Sequence, residues 1–98
     1  MELVFDWDEN KARRNRETHK VSFNEARTVF NDPFQVTFPD EYHSHQERRF
    51  ISLGTSSKNR IILVVHTEND EDDAIVIRLI SARRATMSER KAYEEKKA

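Results

Sequence analysis

Arg83 and Arg84 stand at the end of a strand-like run, RLISARRATMSERKAYEE from Arg78 onward, and Thr86 opens a helix directly behind them. Fixed cations are therefore placed where a sheet stops, a position from which they can meet a polyanion. A guanidinium suits that task because its planar fork matches two phosphate oxygens at once. Under strict strand alternation Arg78 shares a face with Val76 and Ile80, while Arg83 falls on the opposite face with Ile77, Leu79 and Ser81. A bulge, or the end of the strand near Ala82, is needed to bring the two arginines together. Otherwise Arg78 pairs structurally with a carboxylate such as Asp6 or Glu47.

Other residues add acid, base and cation chemistry. Glu47 and Arg49, two apart in HSHQERRF, share a strand face. The glutamate is a candidate general base held by the arginine, or the two form a structural ion pair. Arg60 and His66 lie on one face of a later strand with Ile62 and Val64 between them. Arg60 is a candidate phosphate ligand against an ordinary solvated strand end. His66 ionises near neutrality in its unperturbed state, so it is a candidate acid or base, or a satisfied sheet histidine. His43 and His45 beside Asp40 have the look of metal ligands, but no third strong ligand accompanies them, and no metal or cofactor is implied.

These side chains must be held by a small frame. Ninety-eight residues give room for one domain, spanning 1–98, with a modest core. Charged residues make up 36% of the chain, yet 17 Lys plus Arg against 18 Asp plus Glu leave a net charge of −1. Bulk charge cannot hold nucleic acid, so any polyanion site is local. With no cysteine, disulfides and thiolate metal sites are excluded. No apolar run reaches the length of a signal segment or membrane span, and a cytoplasmic location is expected.

Leu3, Phe5 and Trp7 alternate with polar or smaller residues, predicting a short edge strand. Asp8 reads as an N-cap of a helix running to about Thr18, nearly all polar, with Asp8, Ala12, Asn15 and His19 as its best inward stripe. Ser22 and Glu25 form the pattern of a capping box, and Phe23, Ala26, Val29 and Phe30 give a second helix an apolar face before Asn31-Asp32-Pro33 stops it. Phe34 to Phe38, Arg49 to Leu53, Arg60 to Thr67 and Ala74 to Ala82 predict four strands in an antiparallel meander. The last two are apolar on both faces, as central strands are. A C-terminal helix, boxed by Thr86 and Glu89, carries little apolar surface beyond Met87, Ala92 and Tyr93. The fold class is α+β.

The segments FDWDENKARRN, VSFNEARTVFNDP, HSHQERRF, RLISARRA and ERKAYE, which together span nearly the whole chain, resemble the BrnT toxins of BrnT/BrnA type II toxin–antitoxin systems. The resemblance implies a RelE-like fold, a toxin that cleaves RNA, and neutralisation by a BrnA-like ribbon-helix-helix antitoxin. The implied assembly is two toxins with two antitoxins, with DNA contacted through the antitoxin alone. It also makes Lys11 and His19 candidates for lining an RNA cleft against the sheet. One departure is Lys20, in THKVSF, where the family has glycine. Glycine serves there as a left-handed helix C-cap, and lysine in that conformation costs about 1 kcal/mol.

RNA cleavage without a metal needs a base for the 2′-hydroxyl, an acid for the leaving 5′-oxygen, and cations for the phosphorane. Arg83, Arg78, Glu47, Arg49, Arg60 and His66 form the candidate catalytic set. The expected activity is that of a ribosome-independent endonuclease. Two rivals are a homologue that has lost catalysis and only binds antitoxin, and a nucleic-acid-binding protein without chemistry.

Overall fold

A computed structural model describes residues 2–97. Strands β1 (Glu2–Asp6), β2 (Val36–Pro39), β3 (Arg49–Thr55), β4 (Ile61–Glu71) and β5 (Ala74–Arg84) form one sheet in the order β1-β5-β4-β3-β2. β2 to β5 are the antiparallel meander, and β1 closes the other edge parallel to β5. Helices α1 (Glu9–His19) and α2 (Phe23–Ala26) cover one face, and α3 (Met87–Lys97) returns over one end of the other.

Helix α1 has almost no apolar stripe, so polar anchors hold it. Asp8 caps it by accepting from the amides of Asn10 and Lys11. Ala12 and Asn15 are its buried residues. Beyond β1, the free edge of β5 would expose backbone groups, and the Asn15 side chain satisfies them. Its amide donates to the Ala82 carbonyl at 2.8 Å and accepts from the Ala82 amide at 3.0 Å. A second hydrogen bond to the Val21 carbonyl fixes the chain as it leaves the helix. The helix ends at Lys20 in the left-handed conformation, φ 59° and ψ 32°, so the expected strain is present.

Helix two is shorter than its sequence pattern predicts. Four residues are α-helical, and Arg27–Asn31 continue as a 3₁₀ turn. Thr28 is β-branched and turns its hydroxyl back to the Glu25 carbonyl at 2.6 Å, which tightens the turn. The tightened segment presses Val29 onto β3, where a Cβ on Gly54 would meet Val29 Cγ1 at 2.9 Å. That close approach accounts for the glycine. The main core lies between these helices and the sheet, with Val21, Phe23, Ala26, Val29, Ile62, Val64, Ile77 and Leu79 buried.

Helix α3 carries the reciprocal capping box expected of Thr86 and Glu89. Its anchor is Tyr93, 2% exposed, packed with Leu53 and Leu63. The Tyr93 hydroxyl donates to Asp32, which also accepts from the Thr55 amide, and so ties α3 to the end of helix two. The rest of that sheet face is left open. Among the described residues no helix is long and apolar enough to cross a membrane.

Candidate active site

Strand β5 does not alternate regularly. Val65 pairs with Ser81 and His66 with Leu79, so Ile80 is an extra residue and the strand bulges there. The bulge corrects the expectation from strict alternation. Ile77, Leu79 and Ala82 all face the helices, and Arg83 moves to the open face, where Arg78 also lies. Arg49 sits on the same face, since it pairs with Thr67 and Thr67 pairs with Arg78.

On that face a groove of about 420 Å³ has Ile51, Val65 and Ile80 as its floor and Arg49, Arg83 and His43 at its rim. The two arginines differ in how they are held. Arg83 makes a two-pronged pair with Glu89, at 2.8 and 3.0 Å. The guanidinium draws the Glu89 carboxyl down to about 2. Arg49 has Nε buried without a hydrogen-bond partner, and its nearest described carboxylate oxygen, on Glu47, is 4.0 Å away. Thr67, next to it in register, likewise has a buried hydroxyl without a partner. Only the Nε of Arg49 is enclosed; its side chain is 33% exposed and its ion pair with Glu47 is long, so the fork is open to water or to an added anion. His43 is held through Nδ1 by Asp40 at 3.0 Å, and no group of three or more metal-ligating side chains occurs among the described residues.

The remaining candidates divide in two. Arg78 lies beyond the groove and pairs with Asp6 at 2.6 Å, the structural pairing weighed from the sequence. Glu47 and His45 line an adjoining hollow of about 580 Å³ that shares His43 and Arg49 with the groove. Lys11 and His19 line a hollow of about 310 Å³ on α1 whose far wall is Ile80, so the bulge separates it from the groove.

Arg60 and His66 do share a face, but it is the face packed under the helices. Arg60 donates through Nε to Glu25 at 2.9 Å and also to the Lys20 carbonyl. The Glu25 side chain is 1% exposed, and Ser56 adds a hydrogen bond at 2.6 Å. Burial pushes the Glu25 carboxyl up, but Arg60 and Ser56 together outweigh it and hold it below the usual carboxylate range. His66 is 0% exposed, between Phe30 and Phe50, with Nε2 on Ser52 at 2.7 Å. Burial pushes its imidazole down to about 4. A neutral, enclosed histidine cannot exchange protons with a substrate on the other side of the sheet, so geometry separates it from the groove. Sequence reasoning put Ser81 on the face of Arg83, as found, but missed Glu89 and His43 as groove neighbours. Glu89 carried a signal as a cap residue, but its pairing with Arg83 depends on the direction in which α3 folds back.

A groove with an apolar floor and Arg49, Arg83, His43, Asp40 and Glu89 around it, on the half-covered face of a five-stranded sheet, marks a small α+β protein with a charged surface groove. The model of a family described as the ribonuclease toxin BrnT of type II toxin–antitoxin systems matches residues 7–89, and the chain belongs to that family. The fold is similar to that of the Brucella abortus ribonuclease toxin BrnT, known from a 1.1 Å crystal structure. The TM-score is 0.61 at 21% identity, covering 89% of this chain and all of that one. No curated protein matches the chain.

Proposed function

We propose that this chain, one domain over residues 1–98, is a RelE-like, ribosome-independent RNA endonuclease whose site is the groove bordered by Arg49 and Arg83. The observation that carries this reading is Arg49, a partly buried guanidinium with an unpartnered Nε and only a long, 4.0 Å ion pair to Glu47, facing the same hollow as Arg83. The 2′-oxygen attacks the adjacent phosphorus as the bond to the 5′-oxygen breaks. The 2′-hydroxyl proton passes to a base, a role we assign to Glu47, and an acid, a role we assign to His43, protonates the leaving oxygen. The products are a 2′,3′-cyclic phosphate and a 5′-hydroxyl. Arg49 and Arg83 stabilise charge on the phosphorane, a role that needs no metal. Arg78 extends the cationic face, and Lys11 and His19 receive RNA across the Ile80 bulge.

Type II family membership carries with it an antitoxin partner, which we take to be a BrnA-like ribbon-helix-helix protein in a complex of two toxins and two antitoxins, acting in the cytoplasm. The test is overexpression without antitoxin. Wild type halts growth, its RNA is cut in EDTA, and Arg83→Ala restores growth. Full toxicity in Arg83→Ala removes that residue from the site.

A second reading has its own support. Arg60, Arg78 and Arg83 each carry a carboxylate partner, as expected of a chain that keeps its fold and antitoxin binding without catalysis. Such a chain binds antitoxin tightly, permits normal growth alone and leaves RNA intact.

A further inference from the structure

A second cationic hollow lies on the other side of the corner where β5 turns into α3. It measures about 240 Å³, is more enclosed than the groove, and is lined by Arg60, Arg84, Arg90 and Lys97 around Tyr93. Glu94 is the carboxylate on its wall. Arg60 is neutralised by Glu25, but among the described residues no carboxylate oxygen lies within 4.0 Å of Arg84, Arg90 or Lys97. The Lys97 ammonium rests over Phe34 at 5.5 Å and Tyr93 at 6.0 Å, which holds it at the mouth rather than in bulk water.

We propose that this cleft binds a second phosphate of the RNA, flanking the one that reacts in the groove. The inference rests on the nuclease reading for the identity of the strand. Like charges gathered in a concavity repel one another, and this chain has no overall positive charge that would produce such a cluster by composition. The longest acidic run lies elsewhere. Glu68, Asp70, Glu71, Asp72 and Asp73 occupy the far tip of the β4–β5 hairpin, roughly 30 Å from Arg84 at the rise of an extended strand. The hairpin is therefore acidic at one end and basic at the other, and a polyanion is directed to the basic end, where Arg83 borders the groove and Arg84 the cleft. The volume points to a phosphate rather than a complete cofactor, since pockets for drug-sized ligands run about 300–1,000 Å³. Chain order links the two hollows. Arg84 follows Arg83, and Arg90 follows Glu89, so a strand leaving the groove at Arg83 crosses the corner and meets Arg84 and Arg90.

The test uses a 2′-deoxy oligonucleotide, which cannot be cleaved, and measures its binding by fluorescence anisotropy over a range of salt. For Arg84→Ala/Arg90→Ala we expect affinity to fall roughly tenfold and the slope of log K against log salt to shrink by about 1. A dinucleoside monophosphate, with a single phosphate, should bind both proteins alike. Arg84→Lys/Arg90→Lys should restore the slope. An unchanged slope in the alanine variant, with its melting temperature also unchanged, overturns the inference. So does tight binding of inorganic phosphate that fails to compete with the oligonucleotide, since the cleft would then serve a free anion. Because no cleavage is needed, a protein that binds in this way but never cuts RNA fails the nuclease reading and leaves the second site standing.

Discussion

Replacing Arg60 by alanine separates a phosphate ligand from a structural clamp. The Glu25 carboxylate beneath it is 1% exposed and accepts from Arg60 Nε, the Arg60 fork and Ser56. Without Arg60 one oxygen keeps Ser56 and the other has no partner. Breaking a buried pair from one side costs about 3–5 kcal/mol, because the surviving charge is stranded. The Arg60 side chain is 23% exposed, so water can partly replace it, and the lower figure of about 3 kcal/mol applies. For a chain of this size that lowers the melting temperature by roughly 12–24 °C. Urea unfolding followed by circular dichroism measures it. Arg60→Met with Glu25→Gln removes both charges and should recover about 2 kcal/mol relative to the sum of the single changes. The clamp is refuted if Arg60→Ala costs under about 1 kcal/mol, or if that variant, fully folded at low temperature, cannot cleave RNA.

Other consequences are as direct. Lys20→Gly relieves the left-handed cap and should raise stability by about 0.5–1 kcal/mol, seen as a higher urea midpoint; a lower midpoint would show that the Lys20 side chain contributes more than its backbone conformation costs. The His66 imidazole is depressed from 6.5 to about 4, so its contribution is whole above pH 6.5 and is lost as pH falls towards 4. That gap is worth roughly 3 kcal/mol, and Glu68, pushed up by burial and by Asp70, offsets part of it. His66→Gln should flatten the decline in unfolding free energy between pH 7 and pH 4.5, and an identical decline in the variant would place the acid sensitivity elsewhere.

What the sequence made legible was local. The N-cap at Asp8, the cap pair at Thr86 and Glu89 and the meander each follow from a few neighbouring residues. At helix two the cap pair is only half made. Ser22 accepts from the Glu25 amide, but the Glu25 side chain turns to Arg60, 35 residues away, and nothing local announces that choice. The bulge at Ile80 was equally hidden, and it decides that Arg83 and Arg49 share a groove. Burial of His66 follows from Phe30 and Phe50 closing on it from other elements, which strand alternation alone does not reveal.

The most direct test of the groove is single-turnover cleavage of a short RNA in EDTA by wild type and by Arg49→Ala. The wild type should yield a cyclic phosphate end, and the variant should lose about 100-fold or more in rate, as when a charge-stabilising donor is removed, with its melting temperature unchanged. Cleavage at the wild-type rate by folded Arg49→Ala would contradict the assignment of this face as the active site.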